Sequence, residues 1–160
     1  MVLQIIIALL ITLTIIFVTW HFLRNYNVVH IPFKESMDLI NLPVVTFVNN
    51  NNKLHFLLDT GSDDSFITSS VVNLLKVKSS SNKVSSIQTG NGVISSLGMI
   101  TLDISYLDSS YENTFIVSDL DSSFKNIADS RGIQIHGIIG SLFFRRYGYK
   151  LDFKKLAAYK

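Results

Sequence analysis

From Leu42 to the end of the chain, the sequence is a series of short β-type runs separated by turn residues. Residues 42–48 and 54–59 form two such runs, and the asparagines between them suit a tight turn because asparagine tolerates positive φ. Short apolar runs bounded by turn residues are typical of strands rather than of long helices. The pattern therefore predicts a mostly β domain over residues 42–160.

A longer alternating segment lies in the middle of this domain. Residues 79–107 are predicted to contain a hairpin whose tip consists of Gly90, Asn91 and Gly92. The Asn-Gly pair at this tip suits a type I′ turn. Residues 121–132, by contrast, are polar and predict a loop.

The beginning of the chain has a different composition. Residues 2–23 contain no charged side chain. About 20 residues of helix, at about 1.5 Å per residue, are enough to cross the hydrocarbon core of a bilayer. We therefore predict a transmembrane helix over residues 1–24 that contacts membrane lipid through residues 2–23, followed by a juxtamembrane linker over residues 25–41.

Other interpretations of this apolar run fit the sequence less well. A cleaved signal peptide would have basic residues before the run and small residues at a cleavage site, and neither is present. A buried core helix is rarely apolar on every face over this length. The basic residues that follow the run, Arg24 and Lys34, slightly favour a cytoplasmic domain but leave the side of the membrane open.

Composition excludes several classes of function. The chain has no cysteine, which removes disulfides, thiolate catalysis and cysteine-based zinc sites. The four histidines are scattered without metal-ligand spacing, so we predict no metal. The net charge of +2 is too small to indicate a nucleic-acid surface, so no nucleic-acid partner is expected.

The segment that carries chemistry begins at the end of the second β-type run. Asp59 directly follows two leucines, and a carboxylate in such a place is costly unless it is hydrogen-bonded. Gly61 permits a tight turn, while Thr60 and Ser62 supply short hydroxyl groups. Asp-Thr-Gly also occurs in ordinary turns, in which the aspartate bonds its own backbone, so the tripeptide alone leaves both interpretations open.

The wider context resembles a known family. LLDTGSDDSFIT, followed about 80 residues later by HGIIGSLFFRRYGYKLDF, resembles the single-motif, retropepsin-like (clan AA type) aspartic peptidases over roughly residues 40–158. The resemblance implies a closed β-barrel of the acid-protease type with a short helix near its C-terminus. It also implies that Asp59, Thr60 and Gly61 are the catalytic residues.

Further site residues are implied by the same resemblance. Ser62 would bond to the carboxylate, and a hairpin flap would close over the substrate. An apolar segment would pack beside the catalytic loop and lead into the helix of residues 141–148. The flap residues are Gly90, Asn91 and Gly92, and the supporting segment is Ile138, Ile139 and Gly140.

A single motif implies that two copies form the site. Two carboxylates about 3 Å apart cannot both ionise, so they share a proton and divide the roles of general base and general acid. The resemblance therefore implies a homodimer that pairs Asp59 from each copy, with Thr60 bonding across the two-fold axis. The expected function is a membrane-anchored endopeptidase that hydrolyses polypeptides, and no cofactor is implied.

Two other functions and two local questions remain open. The same fold could serve as a non-catalytic dimerisation or peptide-binding module, and a small β-rich domain unrelated to peptidases is the third hypothesis. Asp63 and Asp64 either raise the apparent pKa values of the carboxylate pair or lie in solvent near a helix N-terminus. His136 is interpreted as a strand residue rather than a catalytic partner.

Overall fold

The computed structural model describes residues 2–25, 30–81, 85–89 and 92–160. The helices are α1 (Val2–Asn25), α2 (Lys34–Ile40), α3 (Asp121–Arg131) and α4 (Ser141–Tyr147), with a 3₁₀ helix at Ser69–Leu74. The strands are β1 (Ile31–Pro32), β2 (Val44–Asn49), β3 (Asn52–Leu58), β4 (Ser65–Thr68), β5 (Val77–Ser81), β6 (Ser85–Thr89), β7 (Gly92–Ser96), β8 (Gly98–Tyr106), β9 (Ser109–Ser118), β10 (Gly137–Ile139), β11 (Lys150–Asp152) and β12 (Ala157–Tyr159).

Six strands form a closed barrel. Their order is β2-β3-β10-β4-β9-β8, and pairing of β8 with β2 at Ser105 and Val48 closes the ring. Strand β5 adds to the outer side of β8. Within the ring, β3 runs parallel to β10 and β4 runs parallel to β9. The prediction of a mostly β fold with a closed barrel is confirmed.

Aromatic side chains fill the interior of the barrel. Phe47, Phe56 and Phe115 are fully buried, and Phe47 packs edge-on against Phe56 with ring centroids 6.1 Å apart. Helix α4 joins this core through Phe143, whose ring lies 6.1 Å from that of Phe47. Burial of such a side chain contributes roughly 1.5–3 kcal/mol relative to exposure. The core therefore holds α4 against the barrel, and α4 ends at Tyr147 as the sequence predicts.

The predicted linker over residues 25–41 differs from the structure. Strand β1 pairs with β12, and Ile31 and Phe33 are only 2% and 1% exposed. Helix α2 follows directly and carries Ser36, whose hydroxyl donates to the carbonyl of Val44 at 3.0 Å. Because Ile31 and Phe33 are buried in the main core, residues 30–41 are part of the folded domain, while residues 26–29 lie outside the described residues.

Helix α1 forms in the region of the predicted anchor. It spans Val2–Asn25, and the side chains described in it from Leu9 to Trp20 are all exposed. Within the described residues, no helix combines the length and apolar character needed to cross a membrane. The predicted transmembrane helix over residues 1–24, and with it lipid contact through residues 2–23, is therefore not confirmed.

The predicted loop over residues 121–132 is wrong, because this segment forms α3. The helix ends at Gly132, which adopts φ 68° and whose N–H donates to the carbonyl of Ala128 at 2.9 Å. On its surface Lys125 pairs with Asp129 one turn later, at 2.8 Å. A C-terminal glycine and an ion pair at this spacing stabilise a helix whose composition is otherwise polar.

Candidate active site

The candidate site is built around the loop that follows β3. The Asp59 side chain is half-buried, and its Oδ1 accepts the N–H of Gly61 at 2.8 Å. The backbone N–H of Asp59 donates to the carbonyl of Ile139 at 3.0 Å. The carboxylate is thus oriented by its own loop, and the loop is attached to the neighbouring parallel strand.

The loop is also bonded to the start of α4. The N–H of Ser141 donates to the carbonyl of Ser62 at 2.7 Å, and the N–H of Leu142 donates to that of Asp63 at 3.1 Å. These N–H groups belong to the first turn of α4, where a helix has no internal acceptors. The carbonyls of Ser62 and Asp63 therefore accept the free N–H groups of the helix, and each element fixes the position of the other.

Gly140 permits this close approach. A Cβ atom at Gly140 would lie 2.3 Å from the carbonyl oxygen of Asp64 and 2.7 Å from that of Asp63, which is too close for any side chain. Its N–H donates to the hydroxyl of Ser65 at 3.0 Å, and Ser65 is only 4% exposed. The structure thus brings together Asp59 and the segment Ile138–Gly140, as the resemblance implies.

The other residues of the loop have different partners from those implied. The hydroxyl of Ser62 donates to the carbonyl of Asp64 at 2.8 Å instead of to the Asp59 carboxylate. Asp63 and Asp64 are exposed, and Asp63 accepts the hydroxyl of Ser141 at 3.2 Å. Asp63 therefore lies in solvent at the N-terminus of α4, which is where helices favour acids. Thr60 is exposed at the tip of the loop.

The predicted flap coincides with a described hairpin. Strands β6 and β7 pair antiparallel, with Thr89 opposite Gly92. Gly90 and Asn91 lie outside the described residues. The assignment of all three tip residues to substrate binding stays a prediction.

Two histidines occupy the other end of the same parallel strand pair. The rings of His55 and His136 stack with centroids 5.4 Å apart, and Nδ1 of His136 accepts the N–H of His55 at 2.9 Å. Thr46 Oγ1 lies 2.8 Å from Nδ1 of His55. Burial lowers the pKa of both imidazoles, assisted by the charge of Lys53 at His55 and by His55 at His136, where Asp121 opposes the shift.

Comparison with known families shows which family the chain belongs to. A family model described as aspartyl protease matches residues 44–143, which is more than half of the chain. The match starts at the first residue of β2 and extends into α4, so it includes both Asp59 and Gly140. The chain belongs to the aspartyl protease family.

Two solved structures resemble this chain. EIAV protease complexed with the inhibitor HBY-793 is 22% identical, with a TM-score of 0.53 over 72% of this chain and 96% of that chain. A retropepsin-like aspartic protease from Rickettsia conorii is 19% identical, with a TM-score of 0.52 over 85% of this chain and 100% of that chain. These likenesses show that the chain has the retropepsin fold. No curated protein matches it by sequence.

The sequence did not predict two structural contributors to the site and to its strand pair. Ser65 lies six residues after Asp59, but no local signal marks it as the acceptor of the Gly140 N–H. His55 and His136 are 81 residues apart, so only the parallel pairing of β3 with β10 brings their rings together. The histidine contact can therefore be predicted only when the register of β3 and β10 is known.

Proposed function

We propose that this chain is an aspartic endopeptidase whose site forms when two copies bring their Asp59 carboxylates together. The observation that carries the proposal is the Asp59 loop, which is held against β10 and α4 by backbone hydrogen bonds. A loop fixed in this way presents one carboxylate in a constant orientation. Membership in the aspartyl protease family and the retropepsin fold support a hydrolytic role.

The chemistry requires the second copy because one carboxylate cannot be both base and acid. The ionised Asp59 takes a proton from water while the water oxygen bonds to the carbonyl carbon. The protonated Asp59 of the second copy gives its proton to the carbonyl oxygen. The first Asp59 then gives the proton that it took from water to the amide nitrogen, and the C–N bond breaks. One hydroxyl of the tetrahedral intermediate returns its proton to the second Asp59, which releases a carboxylic acid and an amine and restores the shared proton.

Thr60 and the hairpin of β6 and β7 have supporting roles in this proposal. Thr60 at the exposed loop tip bonds to the opposite loop of the dimer and fixes the distance between the two acids. The hairpin covers the polypeptide through Gly90, Asn91 and Gly92. Ile138, Ile139 and Gly140 support the loop from β10 and the residue that follows it, and Gly61 orients the carboxylate through its N–H.

The direct test compares the full chain with two isosteric variants. Asp59→Asn removes the proposed acid, and Asp108→Asn is a control in an exposed turn between β8 and β9. Cleavage of a mixed peptide library is measured from about pH 4 to about pH 7, where a carboxylate pair titrates. Asp59→Asn should lower kcat/KM by at least about a hundredfold, while Asp108→Asn should leave it unchanged.

Mixing the parent with Asp59→Asn tests the shared site. After subunit exchange at equal concentrations, only about one quarter of the dimers carry two acids, so activity per parent chain should halve. Equal cleavage by the parent and Asp59→Asn would overturn the proposal. A stable dimer that cleaves nothing would instead favour a non-catalytic dimerisation or peptide-binding module.

A further inference from the structure

A surface cavity of about 360 Å³ lies beside the loop that carries Asp59. It opens between the start of β4, the neighbouring strands β8 and β9, and the outer face of α4. Binding pockets have volumes of roughly 300–1,000 Å³, so the cavity can hold a side chain together with part of its backbone. Its lining includes Asp64, Met99, Asn113, Leu142, Arg145 and Arg146.

Asn113 is the first sign that the cavity takes a ligand. The residue is only 7% exposed, and its side-chain Nδ2 has no hydrogen-bond partner among the described residues. Buried polar atoms in folded proteins nearly always have a partner, and an apolar side chain of the same shape avoids the penalty of an unmade bond. Asn113 lines the cavity and therefore holds an unpaired donor beside it at the expense of stability.

The charges around the cavity determine which ligand suits it. Arg146 donates to the carbonyl of Glu112 at 3.2 Å and to its carboxylate at 3.3 Å, so its guanidinium group is already engaged. Arg145 is exposed and forms no ion pair with a described residue. Because Arg146 is paired with Glu112, the guanidinium group of the lining that is left to pair with a ligand carboxylate is that of Arg145.

The remaining lining is apolar and matches a short aliphatic stem. Met99 is 41% exposed and Leu142 is 43% exposed, and both line the cavity. Leu142 and Arg145 are three residues apart on α4, which places them on one face of the helix. A ligand with methylene groups ending in a carboxylate, such as a glutamate side chain, can contact both kinds of surface.

We propose that this cavity binds a glutamate side chain of the polypeptide substrate, with Arg145 pairing with the carboxylate and Asn113 donating a hydrogen bond to it. Met99 and Leu142 contact the methylene groups. The inference rests on the proposed peptidase function, because it takes the polypeptide to be the substrate. Asp64 lies five residues from Asp59, so at about 3.5 Å per residue the cavity is within about 18 Å of the acid. An extended substrate covers that distance in about six residues.

Charge reversal at Arg145 tests the proposal. The full chain and Arg145→Glu are given a library of N-acetylated, C-amidated peptides randomised around an apolar centre, and the cleavage products are sequenced by mass spectrometry. The parent should favour glutamate over glutamine about tenfold at one position within about six residues of the scissile bond. Arg145→Glu should abolish that preference and favour lysine or arginine there. Arg131→Glu, which alters the end of α3, is the matched control and should retain the glutamate preference.

Asn113→Leu supplies a second test, in which the glutamate preference should fall although stability does not. The variant removes the unpaired donor and keeps a similar volume, so its Tm should rise or stay unchanged. The preference for glutamate over glutamine should fall at least about threefold. An unchanged preference in a folded Asn113→Leu variant, or in Arg145→Glu, would overturn the assignment of the cavity.

A binding measurement separates this proposal from the peptidase proposal. The immobilised chain is incubated with the same capped peptides, and the retained peptides are sequenced. Enrichment of glutamate by the parent and not by Arg145→Glu would support the site even if nothing were cleaved. A second library with free C-termini and no acidic side chain tests whether the cavity binds the C-terminal carboxylate of a peptide instead. Preferential retention of that library would overturn the assignment to a side chain.

Discussion

The two ends of the parallel strand pair β3 and β10 differ in the residues that surround them. On one side lie the segments Asp59–Asp64 and Gly140–Leu142, which we call the loop end. On the other side His55 and His136 stack, and we call this pair the histidine end. The two ends are four residues apart along each strand, yet one presents an acid to solvent and the other presents half-buried imidazoles.

The difference lies in what holds each end together. The loop end depends mainly on backbone groups, such as the Ser141 N–H that donates to the Ser62 carbonyl, and these bonds do not change with pH. The histidine end depends on an unprotonated Nδ1 of His136, which accepts the N–H of His55. Low pH favours the shared proton of a carboxylate pair. The same low pH protonates the imidazoles and weakens the histidine end of the two strands.

The largest effect is expected from breaking the loop end at Gly140. In Gly140→Ala, the new Cβ would lie 2.3 Å from the Asp64 carbonyl oxygen, so the backbone of the loop or of α4 has to move. The free energy of unfolding should fall by about 3 kcal/mol, and cleavage should be lost with it. Chemical denaturation and the peptide assay measure the two effects.

The matched control for Gly140→Ala is Gly132→Ala at the end of α3. That position has a φ of 68° and no atom within 4 Å of a new Cβ, so only backbone strain of roughly 1–2 kcal/mol is expected. Cleavage by Gly132→Ala should be retained. Equal losses of stability in both variants would mean that close contact at Gly140 is not what joins the loop to α4.

A smaller effect is expected from removing the Ser65 hydroxyl. Ser65→Ala leaves the N–H of Gly140 without its acceptor in a buried place, which should lower the free energy of unfolding by about 1–3 kcal/mol. Ser123→Ala, at an exposed serine of α3, should change it by less than about 0.5 kcal/mol. Urea denaturation of the three proteins provides the comparison, and equal midpoints would show that the Ser65 bond contributes nothing.

The loop end was predictable because its signals are local. The acid, glycine and hydroxyl groups of Asp59–Ser62 are adjacent in the sequence, and the segment Ile138–Gly140 leads directly into a short helix. What sequence reasoning missed depends on long-range pairing. Ile31 and Phe33 are buried because β1 meets β12 at the far end of the chain, and a composition argument over residues 25–41 has no access to that partner.

Local reasoning also failed at α3, for a different reason. Its composition is polar, and the evidence for a helix is limited to Gly132 after the last turn and to the spacing of Lys125 and Asp129. Each of these features contributes a few tenths of a kcal/mol to about 1 kcal/mol. A prediction that depends mainly on the spacing of apolar residues gives them too little weight. The histidine end was missed because its residues meet only through the register of β3 and β10.

The smallest effect is expected at the histidine end and concerns pH. Burial lowers the pKa of His55 and of His136 below the ordinary value of 6.5. Between the lowered pKa and 6.5 the unfolded chain therefore binds more protons than the folded chain. The free energy of unfolding should be fully maintained above about pH 6.5 and should fall as the pH drops below it. Each histidine contributes a slope of at most about 1.4 kcal/mol per pH unit, reduced by solvent screening.

His136→Asn separates the role of His136 as an acceptor from its titration. The asparagine Oδ1 can accept the N–H of His55 but does not titrate, so the decline in stability between about pH 7 and about pH 5 should become shallower. His30→Asn, at an exposed histidine next to β1, is the control and should keep the slope of the parent. If His136→Asn retained the full slope, acid would not act through this pair. If its slope were shallower, cleavage at low pH should last longer in His136→Asn than in the parent, because the acid that the carboxylate pair uses would no longer weaken β3 and β10.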